Sequence, residues 1–263
     1  MDLGLKNKVA LVVASSRGLG RAVAEELANE GASLILCARD VQALDQTKDA
    51  IVRNSGVQVL AVAADVSMAS DVKRVVDAGI ERFGQIDILV TNAGGPPAGT
   101  FEQVTPEQWE QAVRLTLFSA IELARHVLPG MKARGWGRIL NITSIAVKQP
   151  VENLMLSNSL RAGVTGFART LANEVAAAGI TVNNIMPGYT RTERVEELAT
   201  MMAEKQGISS AEFKARWEQE IPMKRLGEPR EFAALAAFLV SERASYITGT
   251  SIQVDGGWIR SLL

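Results

Sequence analysis

Short apolar runs alternate with helical patterns along almost the whole chain, and no other feature restricts its fold as much. Val9 to Val13 is an unbroken apolar run and reads as a buried strand. A helical pattern follows from Gly18, with Leu19, Val23 and Leu27 on one face and a stop at Gly31. The rhythm then repeats. Further strands are expected at 33–37, 57–63, 86–90, 137–142, 180–185 and 251–254. Helices are expected at 41–53, at 70–83 with Ser70 as its cap, and from Thr105-Pro106-Glu107 to about Leu128. Leu156, Leu160, Val164, Phe167, Leu171 and Val175 recur at helical spacing and mark a long core helix.

Parallel strands need crossover helices, and right-handed crossovers place those helices on both faces of the sheet. The pattern predicts an α/β fold: a single-domain, Rossmann-type, doubly wound parallel seven-stranded sheet. Its binding crevice lies at the C-terminal ends of the strands. A chain of 263 residues suits one such domain over 1–263. Segment 189–226 breaks the rhythm. It is polar, helical in pattern and carries Met201, Met202 and Met223. It reads as a substrate lid over the crevice, with subunit contacts as the other reading.

Composition narrows the function. The net charge is -1 and the pI about 6.0, which speaks against a nucleic-acid partner. Cys37 is the one cysteine, so no internal disulfide forms, and its place in a buried strand suggests packing. One histidine, His126, leaves no His-rich metal site, and no metal is expected. The N-terminal residues Met1 to Lys6 show no signal-peptide pattern, and the longest apolar run, 233–240, is too short for a bilayer. A cytoplasmic protein without membrane contact is expected.

The first strand leads into Ala14-Ser15-Ser16-Arg17-Gly18-Leu19-Gly20. Gly18 and Gly20 between a strand and a helix let backbone approach a pyrophosphate. The helix N-terminus then offers unpaired N–H groups to it. An acidic residue about 20 positions later would grip the ribose of NAD. That place holds Ala38, followed by Arg39, and Arg17 stands in the glycine turn. Two guanidinium groups suit a 2′-phosphate, so NADP is expected rather than NAD. In the other reading Arg39 is merely solvated and Asp40 takes the hydroxyl.

With these residues in view, the chain resembles the short-chain dehydrogenase/reductase family, near its 3-oxoacyl-acyl-carrier-protein reductases. The glycine turn, with Ser16 and Leu19, is one point of likeness. Asp65-Val66 is similar to the family's adenine contact, and Asn92-Ala93-Gly94 to its cofactor-lining motif. Gly137 to Ser144 resembles the strand that delivers a serine to the substrate carbonyl. Asn184 to Gly188, including Pro187 and Gly188, with Thr192, resembles the loop that holds the nicotinamide. Gly249 and Val254 to Gly257 resemble the C-terminal strand and turn. The resemblance implies an oxidoreductase acting on a small carbonyl or hydroxyl compound, assembled as a homotetramer or homodimer.

The same alignment of motifs exposes departures. The family has glycine where Ala14 stands; an ordinary backbone dihedral there would tolerate the methyl group. Of the four residues the resemblance assigns to proton transfer, only Ser144 remains. The tyrosine position falls on Ser157, the lysine on Arg161 and the asparagine on Thr116. Ser157 and Arg161 are four apart and share a helix face away from the apolar stripe. A serine is a far weaker acid than a tyrosine, and an arginine does not release its proton. Tyr189, beside Pro187 and Gly188, is a candidate substitute acid, or it stacks or packs in the lid. Arg161 either anchors the ribose or joins Ser144 and Ser157 in a cluster suited to an anionic oxygen. Two functions follow: an NADP(H)-dependent oxidoreductase with a rebuilt site, or a nucleotide-binding sensor or scaffold.

Overall fold

The computed structural model describes residues 2–262. Seven strands form one sheet: β1 (Val9–Val13), β2 (Ser33–Ala38), β3 (Val59–Ala63), β4 (Ile88–Thr91), β5 (Gly137–Ile142), β6 (Ile180–Pro187) and β7 (Ser251–Val254). Their order is β3-β2-β1-β4-β5-β6-β7, and every pairing is parallel. The order reverses between β1 and β4, so a crevice opens at their C-terminal ends. The expected doubly wound sheet is present.

β1, β2, β4, β5 and β6 are buried almost throughout, because helices cover both faces. Ala10 and Val12 point into the core under α1 (Gly18–Asn29) and α9 (Pro229–Leu239). Val9, Leu11 and Val13 point to the other core, under α3 (Ala69–Phe83), α5 (Ser119–Arg134) and α6 (Met155–Val175). Helix α2 (Val41–Ser55) closes the β2–β3 side. Among the described residues no helix is long and apolar enough to cross a membrane.

Most element bounds shift by one or two residues from the sequence expectation, and α3 and the helix after Thr105 differ in ways that bear on the cleft. Helix α3 starts at Ala69, with Met68 as a cap that makes no side-chain bond. Ser70 therefore lies inside the first turn and does not cap it. The Asp71 carboxylate instead reaches back to accept the Asp65 N–H at 2.8 Å. The helix expected to end near Leu128 runs on to Arg134 and stops at left-handed Gly135. It is also interrupted. α4 (Pro106–Ala112) passes through a π turn, Val113–Phe118, before α5 begins. Such turns concentrate at functional sites, and this one carries Thr116.

A buried polar ladder crosses four strands just below the crevice. Thr91 Oγ1 donates to Asn141 Oδ1 at 2.7 Å, and Asn141 Nδ2 donates to Asn184 Oδ1 at 3.1 Å. Asn184 Nδ2 donates to Ser251 Oγ at 3.0 Å. These four residues are register partners, so their side chains share one face. Satisfied polar groups at this depth hold the strand ends in one arrangement.

Candidate active site

The crevice is a single cleft of about 450 Å³ over the C-terminal ends of the strands. At its floor the chain turns from β1 into α1. Gly18 has φ +58° and Gly20 packs directly beneath the turn, where a Cβ would lie 2.2 Å from the Ala14 carbonyl oxygen. Only glycine fits there. Ala14 itself has φ +51°, so the condition under which its methyl group is free of strain is not met. The turn keeps its shape at a local cost of about 1–2 kcal/mol. Arg17 is the N-cap of α1 and makes no side-chain cap bond, which leaves the helix N-terminus open to the cleft.

One end of the cleft is lined by Arg17, Arg39, Asp40, Asp65 and Val66. No carboxylate pairs with Arg17 or Arg39 among the described residues. Asp40 is committed elsewhere: its Oδ1 accepts the Ala43 N–H at 3.0 Å and caps α2. Asp65 Oδ1 accepts the Ser67 N–H at 3.0 Å, which shapes the loop after β3. Cys37 is buried, and burial pushes its thiol up to about 12. It is inert packing under this end.

The other end gathers Ser16, Leu19, Asn92, Ala93, Gly94, Ser144, Ser157, Arg161, Pro187, Gly188, Tyr189 and Thr192 along the same cleft. Ser144 follows β5 in extended backbone, and its Oγ accepts the Ala146 N–H at 3.1 Å. Its hydroxyl proton remains available. Ser157, in the first turn of α6, is buried, and its hydroxyl makes no hydrogen bond within the described residues. Arg161, one turn later, donates from Nη1 to Ile142 O at 2.9 Å and to Thr143 O at 2.8 Å. Its Nε and Nη2 have no partner among the described residues, and no carboxylate pairs with it. Burial, then the neighbouring Arg194 guanidinium, lowers its pKa to about 10. It is still protonated at neutral pH.

Two expected site residues stand elsewhere. Thr116 does not reach the cleft. It borders a small cavity of about 10 Å³ behind it, shared with Asn92, Thr143 and Arg161, and its Oγ1 is buried without a partner. That space suits one water molecule. Tyr189 borders the cleft, but its ring is stacked on Trp217 at 4.3 Å and meets Trp258 edge-on at 5.9 Å. Burial, then the Glu220 carboxylate, pushes its phenol up to about 12.

Segment 189–226 holds α7 (Glu193–Gln206) and α8 (Ser210–Glu220), packed on each other around Ala199, Phe213 and Trp217. Thr192 caps α7, its Oγ1 accepting the Val195 N–H at 3.4 Å. Its side chain also lies over Gly18. Sequence reasoning missed Arg194 in the first turn of α7, and it missed Leu115, Val151 and Leu154, which give the far end an apolar wall. The available signal was an arginine two residues beyond Thr192; the apolar wall comes from two separate segments, the π turn and the loop before α6, and has no sequence signature.

A parallel sheet with a glycine turn at its switch point, a serine at the end of β5 and a two-ended cleft defines a dinucleotide-binding oxidoreductase. The family model described as enoyl-(acyl carrier protein) reductase matches residues 13–259. A 3-oxoacyl-[acyl-carrier-protein] reductase of Vibrio cholerae is 34% identical over 97% of this chain and 98% of its own length. A human dehydrogenase/reductase, SDR family member 4, is 35% identical over 96% of this chain and 88% of its own. L-sorbose reductase from Gluconobacter frateurii, solved with NADPH and L-sorbose, superimposes with a TM-score of 0.95. It is 37% identical, and all of both chains is covered. Actinorhodin polyketide ketoreductase with NADPH gives a TM-score of 0.93 at 32% identity, covering 97% of this chain and 98% of the other. The chain belongs to the short-chain dehydrogenase/reductase family.

Proposed function

We propose that this chain is an NADP(H)-dependent reductase of carbonyl compounds, of the 3-oxoacyl-reductase kind, in which no side chain donates the proton. The residues present fit the cofactor. The glycine turn leaves room for a pyrophosphate at the open N-terminus of α1, and Arg17 and Arg39 are free to take a 2′-phosphate. Asp40 caps α2 through Oδ1, and the two cations Arg17 and Arg39 outnumber its one negative charge there. NADPH supplies a hydride when bound.

The observation that carries the reading is the composition of the far end: Ser144, Ser157 and the unpaired N–H groups of Arg161 border one cleft. These are hydrogen-bond donors without a general acid among them. As hydride reaches the carbonyl carbon, the oxygen gains charge. Ser144 and Ser157 hydroxyls and the Arg161 fork hold that oxygen as it becomes an alkoxide. Water then supplies the proton that completes the alcohol. The Ile142 and Thr143 carbonyls position the guanidinium, and Thr116 lies behind it, off the cleft, and takes no part in the chemistry. Lack of a positioned acid costs about 10²–10⁴ in rate, while alignment of donor and acceptor is retained. Tyr189 belongs to the aromatic packing of the lid formed by 189–226, because its ring is held against Trp217 and Trp258. An assembly of two or four copies accounts for exposed Phe118 on the π turn.

The test is direct. NADPH and NADH dissociation constants are measured by nicotinamide fluorescence, and carbonyl reduction is followed by NADPH absorbance over a panel including a 3-oxoacyl thioester. Tighter NADPH binding and slow turnover are expected. Preference for NADH would overturn the cofactor assignment. NADPH binding without reduction of any carbonyl would return the chain to the sensor or scaffold reading.

A further inference from the structure

We infer that the cleft selects carbonyl substrates that carry a carboxylate, and that Arg194 sets this selectivity. The inference rests on the reductase reading above.

Arg194 lies in the first turn of α7, two residues past the cap Thr192, and borders the same cleft as Ser144, Ser157 and Arg161. Its side chain crosses from the lid to the loop after β4. Nη2 donates to Pro96 O at 3.2 Å. Its guanidinium occupies the room left by Gly95, where a Cβ would lie 3.1 Å from Nε. A side chain at 95 would make the guanidinium shift by a few tenths of an ångström, so Gly95 lets it lie close to the loop backbone. Its one acidic partner, Glu197, is loose, at 3.8 Å. Arg161 faces it from the floor with no carboxylate at all.

Two guanidinium groups therefore border one cleft with a single loose carboxylate between them. An anion entering there would be held by a charge-assisted fork. The depressed pKa of Arg161 comes from burial first and from Arg194 second, so the two charges feel each other. Two anions could take this place: the cofactor phosphates or a substrate carboxylate. In the reading above, the open N-terminus of α1 takes the pyrophosphate, and Arg17 and Arg39 the 2′-phosphate. The partner left for Arg194 is on the substrate. Arg161 with the two serines holds the reacting oxygen, and Arg194 takes the carboxylate in a forked pair.

The probes are acetoacetate and its methyl ester, which share a ketone and differ in charge. The kcat/KM of each is measured with NADPH for the wild type, Arg194→Met and Arg194→Lys, alongside the NADPH dissociation constant. Binding of acetoacetate to each protein without cofactor is measured by calorimetry. The wild type should prefer the acid. In Arg194→Met the acid-to-ester ratio should fall about tenfold to a hundredfold, chiefly through KM. Arg194→Lys should restore part of it, and the NADPH constant should move less than twofold. Calorimetry should show acetoacetate binding lost in Arg194→Met. A wild type indifferent to the charge overturns the inference, as does an Arg194→Met loss that appears in NADPH affinity. Should the protein bind no dinucleotide, the reductase reading fails, and the calorimetric comparison alone still decides whether Arg194 holds a carboxylate.

Discussion

The two ends of the cleft are built on different principles. At the proposed adenine and pyrophosphate end, what the chain offers a cofactor is backbone: a turn at Gly18, close packing at Gly20 and the open N-terminus of α1. Side chains there only add charge, through Arg17 and Arg39. At the nicotinamide end the backbone has the expected form, with Ser144 after β5 and α6 behind it, but the chemistry depends on what three side chains are. Serine, arginine and threonine stand at 157, 161 and 116. Backbone recognition survives substitution because any residue supplies N–H groups. Proton transfer does not, because it needs a particular pKa.

The largest test of this contrast replaces both altered side chains. Ser157→Tyr with Arg161→Lys should raise 3-oxoacyl reduction by about 10²–10⁴, with NADPH affinity changed by about threefold or less. No gain in rate would mean that the two ends are not separable. Second in size is Gly20→Ala. Its Cβ meets the Ala14 carbonyl oxygen at 2.2 Å, so the turn must shift. Thermal unfolding should show a loss of about 1–3 kcal/mol, and NADPH titration a weaker complex. Next, Arg39→Ala should weaken NADPH about tenfold and leave NADH nearly unchanged; equal weakening of both would place Arg39 away from the 2′-phosphate.

Smaller still is Ala14→Gly. Ala14 sits at φ +51°, and glycine removes the strain, so denaturant unfolding should show a gain of about 1 kcal/mol less the added freedom of the unfolded chain. The smallest expected effect is a null one. Arg161 loses its proton only near 10 and Tyr189 only near 12, so both stay protonated below pH 9. The rate of reduction should then be level from pH 6 to 9. In the Ser157→Tyr, Arg161→Lys protein, reduction should fall as rising pH removes the new phenol's proton. An inflection in the wild type would reveal an acid the cleft does not display.

The alternation of apolar runs and helical stripes was enough for the sheet, its seven parallel strands and the place of the crevice. Local patterns sufficed because most strands carry a short apolar run and the long helices have one apolar face. The glycine turn and Ser144 were legible for the same reason: they depend on neighbours in sequence. The start of α3 was not, because Asp71 and Asp65 settle it through a bond across the loop. The π turn at 113–118 has no composition signal, since Val113, Leu115 and Leu117 suit an ordinary helix. Arg194 was unreadable because its meaning comes from Gly95, about a hundred residues away.

By itself, the sequence determined which backbone would form and which side chains would stand at 116, 157 and 161. It left open how Asp40 and Arg39 are engaged; in the folded chain Asp40 Oδ1 caps α2, and Arg39 pairs with no carboxylate among the described residues. It left open whether Tyr189 is an acid, and segment 189–226 stacks that ring on Trp217. The first outcome is a local bond to Ala43; the second depends on burial and on a partner distant in the chain. A pKa or a free hydrogen bond belongs to the environment of a group, and only the folded chain supplies that environment.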